Sequence, residues 1–162
     1  MISVRSVRLS TIAHATEDRD KVKTAMWSLC PQQEFHSKID EKRLKGHHGN
    51  EIHLLTMTIP PRKTRTFAEF LWKRLSSVDQ QSTLDSIERH HDERNVLHLR
   101  LSKQDGFSGR FRIADEDIIK VELAFRTWST SPQKASDEIR ELLKQLDQVS
   151  DSGSQPQGIR IL

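Results

Sequence analysis

Hydrophobic and polar residues alternate with a period of two in several segments, which is the pattern of half-buried β-strands. The clearest example places Leu97, Leu99 and Leu101 on one face, with His98 and Arg100 on the other. One more charged segment, 34–45, fits an edge strand better than a central strand. The pattern predicts β-strands at 2–13, 34–45, 51–59, 96–101, 110–113 and 118–128.

The alternation in the first predicted strand changes phase near Arg5. Val7 and Leu9 lie on one face, whereas Ile2 and Val4 fall on the other. A β-bulge would restore the common face, and a strand buried on both faces would also explain the pattern.

Other segments repeat their apolar residues at helical spacing. Ser131 followed by Pro132 is a typical helix start, with an N-cap residue and a proline at the first helical position. The spacing predicts helices at 17–29, 65–75, 79–91 and 132–147. The residues predicted to lie in the core are Leu97, Leu99, Val121, Leu123, Leu142 and Leu143.

Strands interrupted by helices, and strands that alternate rather than being apolar throughout, favour an α+β fold with a mainly antiparallel sheet. We expect a single domain over residues 1–147. Residues 148–162 are rich in Ser, Gly and Gln, and we expect them to form a flexible C-terminal tail.

Composition narrows the class of protein. No apolar run approaches the roughly 18 residues of a membrane span, and the first residues lack the apolar block of a secretory signal. The single cysteine, Cys30, excludes a disulfide framework and fits a cytoplasmic location. The net charge is +3 and the pI is about 9.2, a weak indication of a polyanionic partner.

The segment GHHGN, residues 46–50, invites a metal or catalytic hypothesis. His47 and His48 are adjacent, so on extended chain their side chains point to opposite faces and do not easily share an ion. No HExxH or Cys/His zinc pattern is present. We therefore predict a hairpin tip, with no metal site and no cofactor.

The sequence contains no Walker loop, GxGxxG motif or nucleophile elbow, so we predict that the protein is not an enzyme. A ribonuclease is the less favoured alternative, and its first candidate residues would be His47, His48 and His14.

Basic side chains collect on the polar faces of the predicted strands, which suits contact with phosphates. These residues are Arg8, Arg100, Arg110, Arg112, Lys120 and Arg126. A second basic segment contains Arg62, Lys63 and Arg65. Such a surface would fit a nucleic acid. The alternative is that this protein is a protein–protein adaptor whose basic surface binds acidic proteins.

Three segments in order, HATED at 14–18, GHHGN at 46–50 and LHLRLSKQ at 97–104, resemble a family of small archaeal proteins described as RNA-binding or as predicted exosome subunits. The resemblance covers roughly residues 3–147. Two departures are Ser102, where such proteins often have an acidic residue, and the glycine-rich segment 105–109.

The resemblance implies a fold like that of the large-subunit ribosomal protein that binds 5S RNA. In that fold helices pack on one face of a curved antiparallel sheet, giving a two-layer sandwich. It also implies a non-catalytic RNA-binding protein that acts in RNA processing or degradation, with the exosome or ribosomal components as partners. The residues expected to contact RNA are Arg62, Lys63, Arg65, Arg100, Lys103, Gln104, Arg110, Arg112, His47 and His48.

Overall fold

The computed structural model describes residues 2–31 and 38–153, with side chains up to residue 148. The strands are β1 (Ser3–Ala13), β2 (Ile39–Lys45), β3 (Glu51–Ile59), β4 (Val96–Ser102) and β5 (Ile118–Arg126). The α-helices are α1 (Arg19–Ser28), α2 (Thr64–Arg74), α3 (Ser77–Asp85), α4 (Ile87–His90), α5 (Lys103–Phe107) and α6 (Pro132–Gly153). A single 3₁₀ turn, Pro61–Lys63, precedes α2.

The strands form one sheet in the order β2-β3-β1-β5-β4, and every neighbouring pair is antiparallel. The first strand lies in the middle, although the chain begins with it, and β4 and β5 form a hairpin on one side of it. The β2–β3 hairpin lies on the other side. The sheet confirms the predicted α+β class with an antiparallel sheet.

The irregularity predicted near Arg5 is a β-bulge. The register between β1 and β5 shifts between Val4 and Ser6, so that Val4 pairs with Phe125 and Ser6 pairs with Ala124. The extra residue brings Val4 onto the same face as Val7, which lies in the core.

One face of the sheet is covered by helices, and the core lies between these two layers. Alternate residues of β1, β3, β4 and β5 are buried, as the period-two pattern predicts. The apolar stripe of α6 completes the core, together with Phe67 and Leu71 from α2. All the predicted core residues are buried: Leu97, Leu99, Val121, Leu123, Leu142 and Leu143.

The predicted helix 79–91 is two helices, not one. Ser86 separates α3 from α4 with φ −119° and ψ 21°, outside the helical region. Its hydroxyl donates to the carbonyl of Ser82, four residues earlier, at 2.6 Å. A serine that bonds back to the i−4 carbonyl loosens a helix at this point.

The predicted strand 110–113 is wrong. Within this segment the only pairing in the described residues is an isolated bridge between Ile113 and Leu101 of β4. The short helix α5 follows β4 directly, and Gly109 then turns the chain with φ +75°. The amide of Arg110 donates to the carbonyl of Asp105 rather than to a neighbouring strand.

Two predicted segments, the C-terminal tail and the edge strand, extend beyond the residues that the structure describes. Helix α6 continues to Gly153, past the end predicted at 147, and the rest of the predicted tail lies outside the described residues. Residues 34–37 of the predicted edge strand also lie outside them. Across the described ranges, no helix is long and apolar enough to span a membrane.

Candidate nucleic-acid interface

The face of the sheet opposite the helices carries a row of cations whose positions follow from the strand register. Arg100 on β4 pairs with Lys120 on β5, and Lys120 pairs with Ser10 on β1. In the neighbouring row, Glu122 pairs with both His98 and Arg8. We call the five ionisable residues Arg8, His98, Arg100, Lys120 and Glu122 the exposed-sheet cluster.

The acidic member of this cluster is surrounded by basic groups. Oε1 of Glu122 lies 3.3 Å from Nζ of Lys120 and 3.7 Å from Nδ1 of His98. Arg8 and Arg100 are both exposed. Pairing in the cluster neutralises Glu122 locally, so the free charge of the exposed-sheet cluster is positive and comes from the two arginines.

A second carboxylate holds the other nitrogen of the histidine. Nε2 of His98 lies 2.9 Å from Oδ2 of Asp92, in the turn before β4. Partial burial acts to raise the pKa of Asp92, but hydrogen bonds from His98 and from the amides of Val96 and Arg94 outweigh it and lower this pKa to about 2. The imidazole ring of His98 is therefore fixed in position on the exposed face.

Arg110 and Arg112 are exposed and lie along the outer edge of β4, beside Arg100. The carbonyl of Arg112 accepts from the amide of Ser102, and the carbonyl of Arg100 accepts from the amide of Ala114. Nε of Arg112 donates to Oδ2 of Asp105 at 2.7 Å, and this contact lowers the pKa of that carboxyl. The structure thus places Arg112 near Arg100 and places Arg110 further along the same edge, next to α5, although only Arg100 lies in a regular strand.

Lys103 has a different environment from the one expected of a residue that contacts RNA. The residue is only 6% exposed, and its ammonium donates to the carbonyl of Ile12 at 2.7 Å. It also forms ion pairs of 3.1 Å with Glu17 and 3.0 Å with Asp117. Hydrogen bonds to Ile12 and Glu17 and the ion pair with Asp117 satisfy the ammonium, so Lys103 joins α5 to the segment before α1. Gln104, the next residue, is exposed on α5.

Arg62, Lys63 and Arg65 lie at the other end of the sheet. The hydroxyl of Thr64 donates to the carbonyl of Val4 at 2.9 Å, which fixes this segment beside the start of β1. Arg65 pairs with Glu69, and Arg62 is exposed. Strands β1 and β4 are both antiparallel to β5, so they run in the same direction and begin at the same end of the sheet. The segment with Arg62, Lys63 and Arg65 therefore lies several residues from Arg100 along the strand direction.

The GHHGN segment is a hairpin tip between β2 and β3, as predicted. The amide of Gly46 donates to the carbonyl of Asn50, and Gly49 has φ +76°, which favours glycine. The rings of His47 and His48 are exposed and meet edge to face, with centroids 6.0 Å apart. The hairpin adjoins β2, so the full width of the sheet separates it from β4.

Among the described residues, no group of three or more His, Cys, Asp or Glu side chains has the arrangement of a metal site. His36 lies outside the described residues.

Sequence patterning missed α5 and the exposed Phe107 that it carries. Phe107 is 49% exposed, and the sequence pattern predicts no element over the glycine-rich segment that contains it. A local signal was present, because Ser102 is followed three residues later by Asp105, and the Ser102 hydroxyl accepts from the Asp105 amide. The contact between Asp92 and His98 was also missed, since turn geometry determines it.

Comparison with known proteins agrees with this architecture. The profile of a family described as RNA binding matches residues 6–125. An RNA-binding protein of Pyrococcus abyssi is 27% identical over 147 residues, which cover 88% of this chain and 96% of that protein. An uncharacterised protein of Methanocaldococcus jannaschii is 26% identical over 144 residues, which cover 86% of this chain and 95% of that protein.

Solved structures of archaeal proteins have the same fold. A crystal structure from Archaeoglobus fulgidus superposes with a TM-score of 0.77 and 32% identity, covering 86% of this chain and 99% of that chain. A structure from Methanothermobacter thermautotrophicus has a TM-score of 0.71 and 24% identity, covering 86% of this chain and 98% of that chain, and it supports the fold alone. From the profile match over most of its sheet and helices, this chain belongs to the RNA-binding family.

Proposed function

We propose that this protein binds RNA without cleaving it, through the exposed-sheet cluster and the adjoining edge of β4. The observation that carries the proposal is the common orientation of Arg8, Arg100 and Lys120 on a face that no described helix covers. Arg110 and Arg112 extend this positive surface beyond the edge strand. Cations in such an arrangement attract successive phosphates of a single strand.

Family membership supports RNA as the ligand, as does the name of the Pyrococcus abyssi relative. The contacts of Glu122 are also consistent with it. Its carboxylate already pairs with Lys120 and lies near His98, so it adds little repulsion toward a phosphate at Arg100.

The rest of the predicted RNA-contacting set divides by position. We assign short RNAs to Arg100, Arg110 and Arg112, with Arg8 and Lys120 beside them. We assign contacts with longer RNAs to the remaining residues, which lie farther from Arg100. Arg62, Lys63 and Arg65 lie at the opposite end of the sheet. His47 and His48 lie at the β2–β3 hairpin, on the opposite side of the sheet from β4. Lys103 has a structural role in this proposal, since its ammonium is bound within the protein.

The cellular role that we propose is that of an accessory factor in RNA processing or degradation in the cytoplasm. The exosome and ribosomal components are its proposed partners. Purification of the protein from native cytosol, followed by RNA sequencing and mass spectrometry of what accompanies it, tests this role. Recovery of neither class of partner would contradict it.

Fluorescence anisotropy with short labelled RNAs across a salt series tests RNA binding itself. If four to six cations meet phosphates of a single strand, log affinity should fall with log salt at a slope of about −3 to −4. The Arg100→Ala/Arg110→Ala/Arg112→Ala variant should bind more weakly and with a shallower slope. Lys144→Ala, which removes an exposed cation from α6, is the matched control.

A triple variant that folds normally and binds RNA as well as the wild type would show that the proposed surface is wrong. A wild-type protein that binds acidic proteins but no RNA would favour the adaptor alternative. Labelled RNA incubated with magnesium, manganese or zinc should stay intact. Cleavage that scales with protein and disappears in a variant of His14, His47 or His48 would favour the ribonuclease alternative.

A further inference from the structure

A cleft of about 260 Å³ lies between α1 and α5, at the end of the sheet where β1 finishes and β5 begins. Two of the segments that carry the family resemblance meet in it. Glu17 comes from the HATED segment, and Lys103 and Gln104 come from the LHLRLSKQ segment. These parts of the chain are far apart in sequence, so the fold itself assembles the cleft.

The base of the cleft is a fixed arrangement of ions. Nζ of Lys103 lies between the carboxylates of Glu17 and Asp117, and it also donates to the carbonyl of Ile12. The Lys103 side chain is 7% exposed, whereas that of Asp117 is 55% exposed. The ammonium is therefore satisfied, while part of the Asp117 carboxylate faces the opening and can accept a hydrogen bond.

Part of the lining of the cleft is apolar, and one of these apolar side chains is aromatic. Val22 and Ala25 of α1 line one side, and Phe107 of α5 lines the cleft with its ring about half exposed. A half-exposed phenylalanine at the mouth of a cleft offers a flat π-face to a planar ligand. Gln104, also exposed, adds an amide that can both donate and accept.

The carboxylates that line the cleft disfavour binding of a negatively charged phosphate there. Three carboxylates, those of Glu17, Asp18 and Asp117, line it together with the two ammonium groups of Lys21 and Lys103. An uncharged ring with hydrogen-bond donors on its edge fits these groups better than an anion does.

The cleft is connected to the proposed RNA surface through α5. Asp105 lies on the same short helix as Gln104 and Phe107, and it accepts from Nε of Arg112 and, through its carbonyl, from the amide of Arg110. Phosphates held at these arginines would belong to nucleotides next to one whose base reaches Phe107.

We propose that the cleft binds one unpaired RNA base that carries an exocyclic amino group, an inference that rests on the proposed RNA-binding function. Phe107 stacks on the base, Gln104 bonds to its edge, and the exposed oxygen of Asp117 accepts from the amino group. Single-stranded bases stacked on aromatic side chains are a common mode of RNA recognition. The preferred ligand is accordingly single-stranded adenosine, cytidine or guanosine rather than uridine or a duplex.

The test is fluorescence anisotropy of the full chain with octamers of adenosine, cytidine and uridine and with an RNA duplex of the same length. The adenosine and cytidine octamers should bind more tightly than the uridine octamer and the duplex. Phe107→Ala should weaken binding of the adenosine octamer by about 5- to 100-fold, without changing the salt slope, because a stacking residue meets no phosphate. Gln104→Ala should weaken it less, and Gln145→Ala on the surface of α6 is its matched control.

Thermal unfolding of each variant establishes that it is folded, and Phe107→Leu replaces Phe107→Ala if the latter is not. Wild-type affinity in the folded Phe107 and Gln104 variants would overturn the cleft as a base site while leaving RNA binding intact. Equal or tighter binding of uridine would overturn the amino-group preference. A wild-type protein that binds none of these RNAs would overturn both this inference and the proposed function.

Discussion

Nζ of Lys103 lies 3.1 Å from Oε2 of Glu17, although 86 positions separate the two residues in the chain. Glu17 also accepts from the amide of His14 at 3.1 Å. The contact fixes the segment between β1 and α1 against the start of α5. Two of the three segments that carry the family resemblance are thus held together by a partly buried ion pair.

Replacing Lys103 with methionine should destabilise the protein. The change keeps the length of the side chain but leaves the partly buried carboxylate of Glu17 without its cation, so we expect a loss of about 2–3 kcal/mol in the free energy of unfolding. Chemical denaturation measures this loss. Lys21→Met, at an exposed position of α1, is the control and should change stability by less than about 0.5 kcal/mol. Equal effects of the two changes would contradict the assigned role of Lys103.

The burial of Lys103 could not have been read from the sequence. Alternation along β4 shows correctly that Leu97 and Leu99 face the core and that Arg100 faces outward. Lys103 lies just beyond that strand, and its partners Glu17 and Asp117 are distant in the chain. Periodicity reports which face a residue occupies within an element, whereas an ion pair between elements depends on tertiary packing.

The exposed-sheet cluster also combines features that periodicity predicts with features that only the tertiary fold determines. Parity along each strand is sufficient to predict that Arg8, Arg100 and Lys120 face the same side. The strand order that makes Arg100 and Lys120 neighbours is set by which strands pair, and alternation does not encode that. In the segment 110–113 the alternation is real, but the turn at Gly109 and the Ser102 cap of α5 prevent a regular strand.

Cys30 should be unreactive in the folded protein. The thiol is buried, 3% exposed, with Sγ 3.4 Å from Sδ of Met57, and burial raises its pKa to about 12. Since the thiolate is the reactive form, alkylation by iodoacetamide at pH 8 should be far slower than in the urea-unfolded chain. Mass spectrometry over time measures both rates. Comparable rates in the two states would show that Cys30 is accessible.

Asp92 should stabilise the protein in a way that depends on pH. Its pKa is lowered to about 2 in the folded state, from an ordinary value of 3.8. A depressed carboxyl pKa gives stabilisation that is complete above the unfolded value and is lost as the pH falls through the folded value. The stability difference between wild type and Asp92→Asn should therefore be largest at pH 5 and should shrink between pH 4 and pH 3. Urea denaturation at these pH values measures it, and a constant difference would contradict the assignment.

Basic groups at separate ends of the sheet should respond differently to the length of the RNA. Arg62, Lys63 and Arg65 lie beside the start of β1, whereas Arg110 and Arg112 lie near the end of β4. With a strand rise of about 3.3 Å per residue, the two groups are separated by roughly the length of a strand. An RNA that reaches both can make additional phosphate contacts, and a shorter one bound near β4 cannot.

We therefore expect Arg62→Ala/Lys63→Ala/Arg65→Ala to leave binding of a short RNA unchanged, but to weaken binding of a long RNA and reduce its salt slope. Anisotropy with single strands of 6, 12 and 24 nucleotides measures the onset of this effect. An equal loss at every length would place these three residues within the short-RNA site instead.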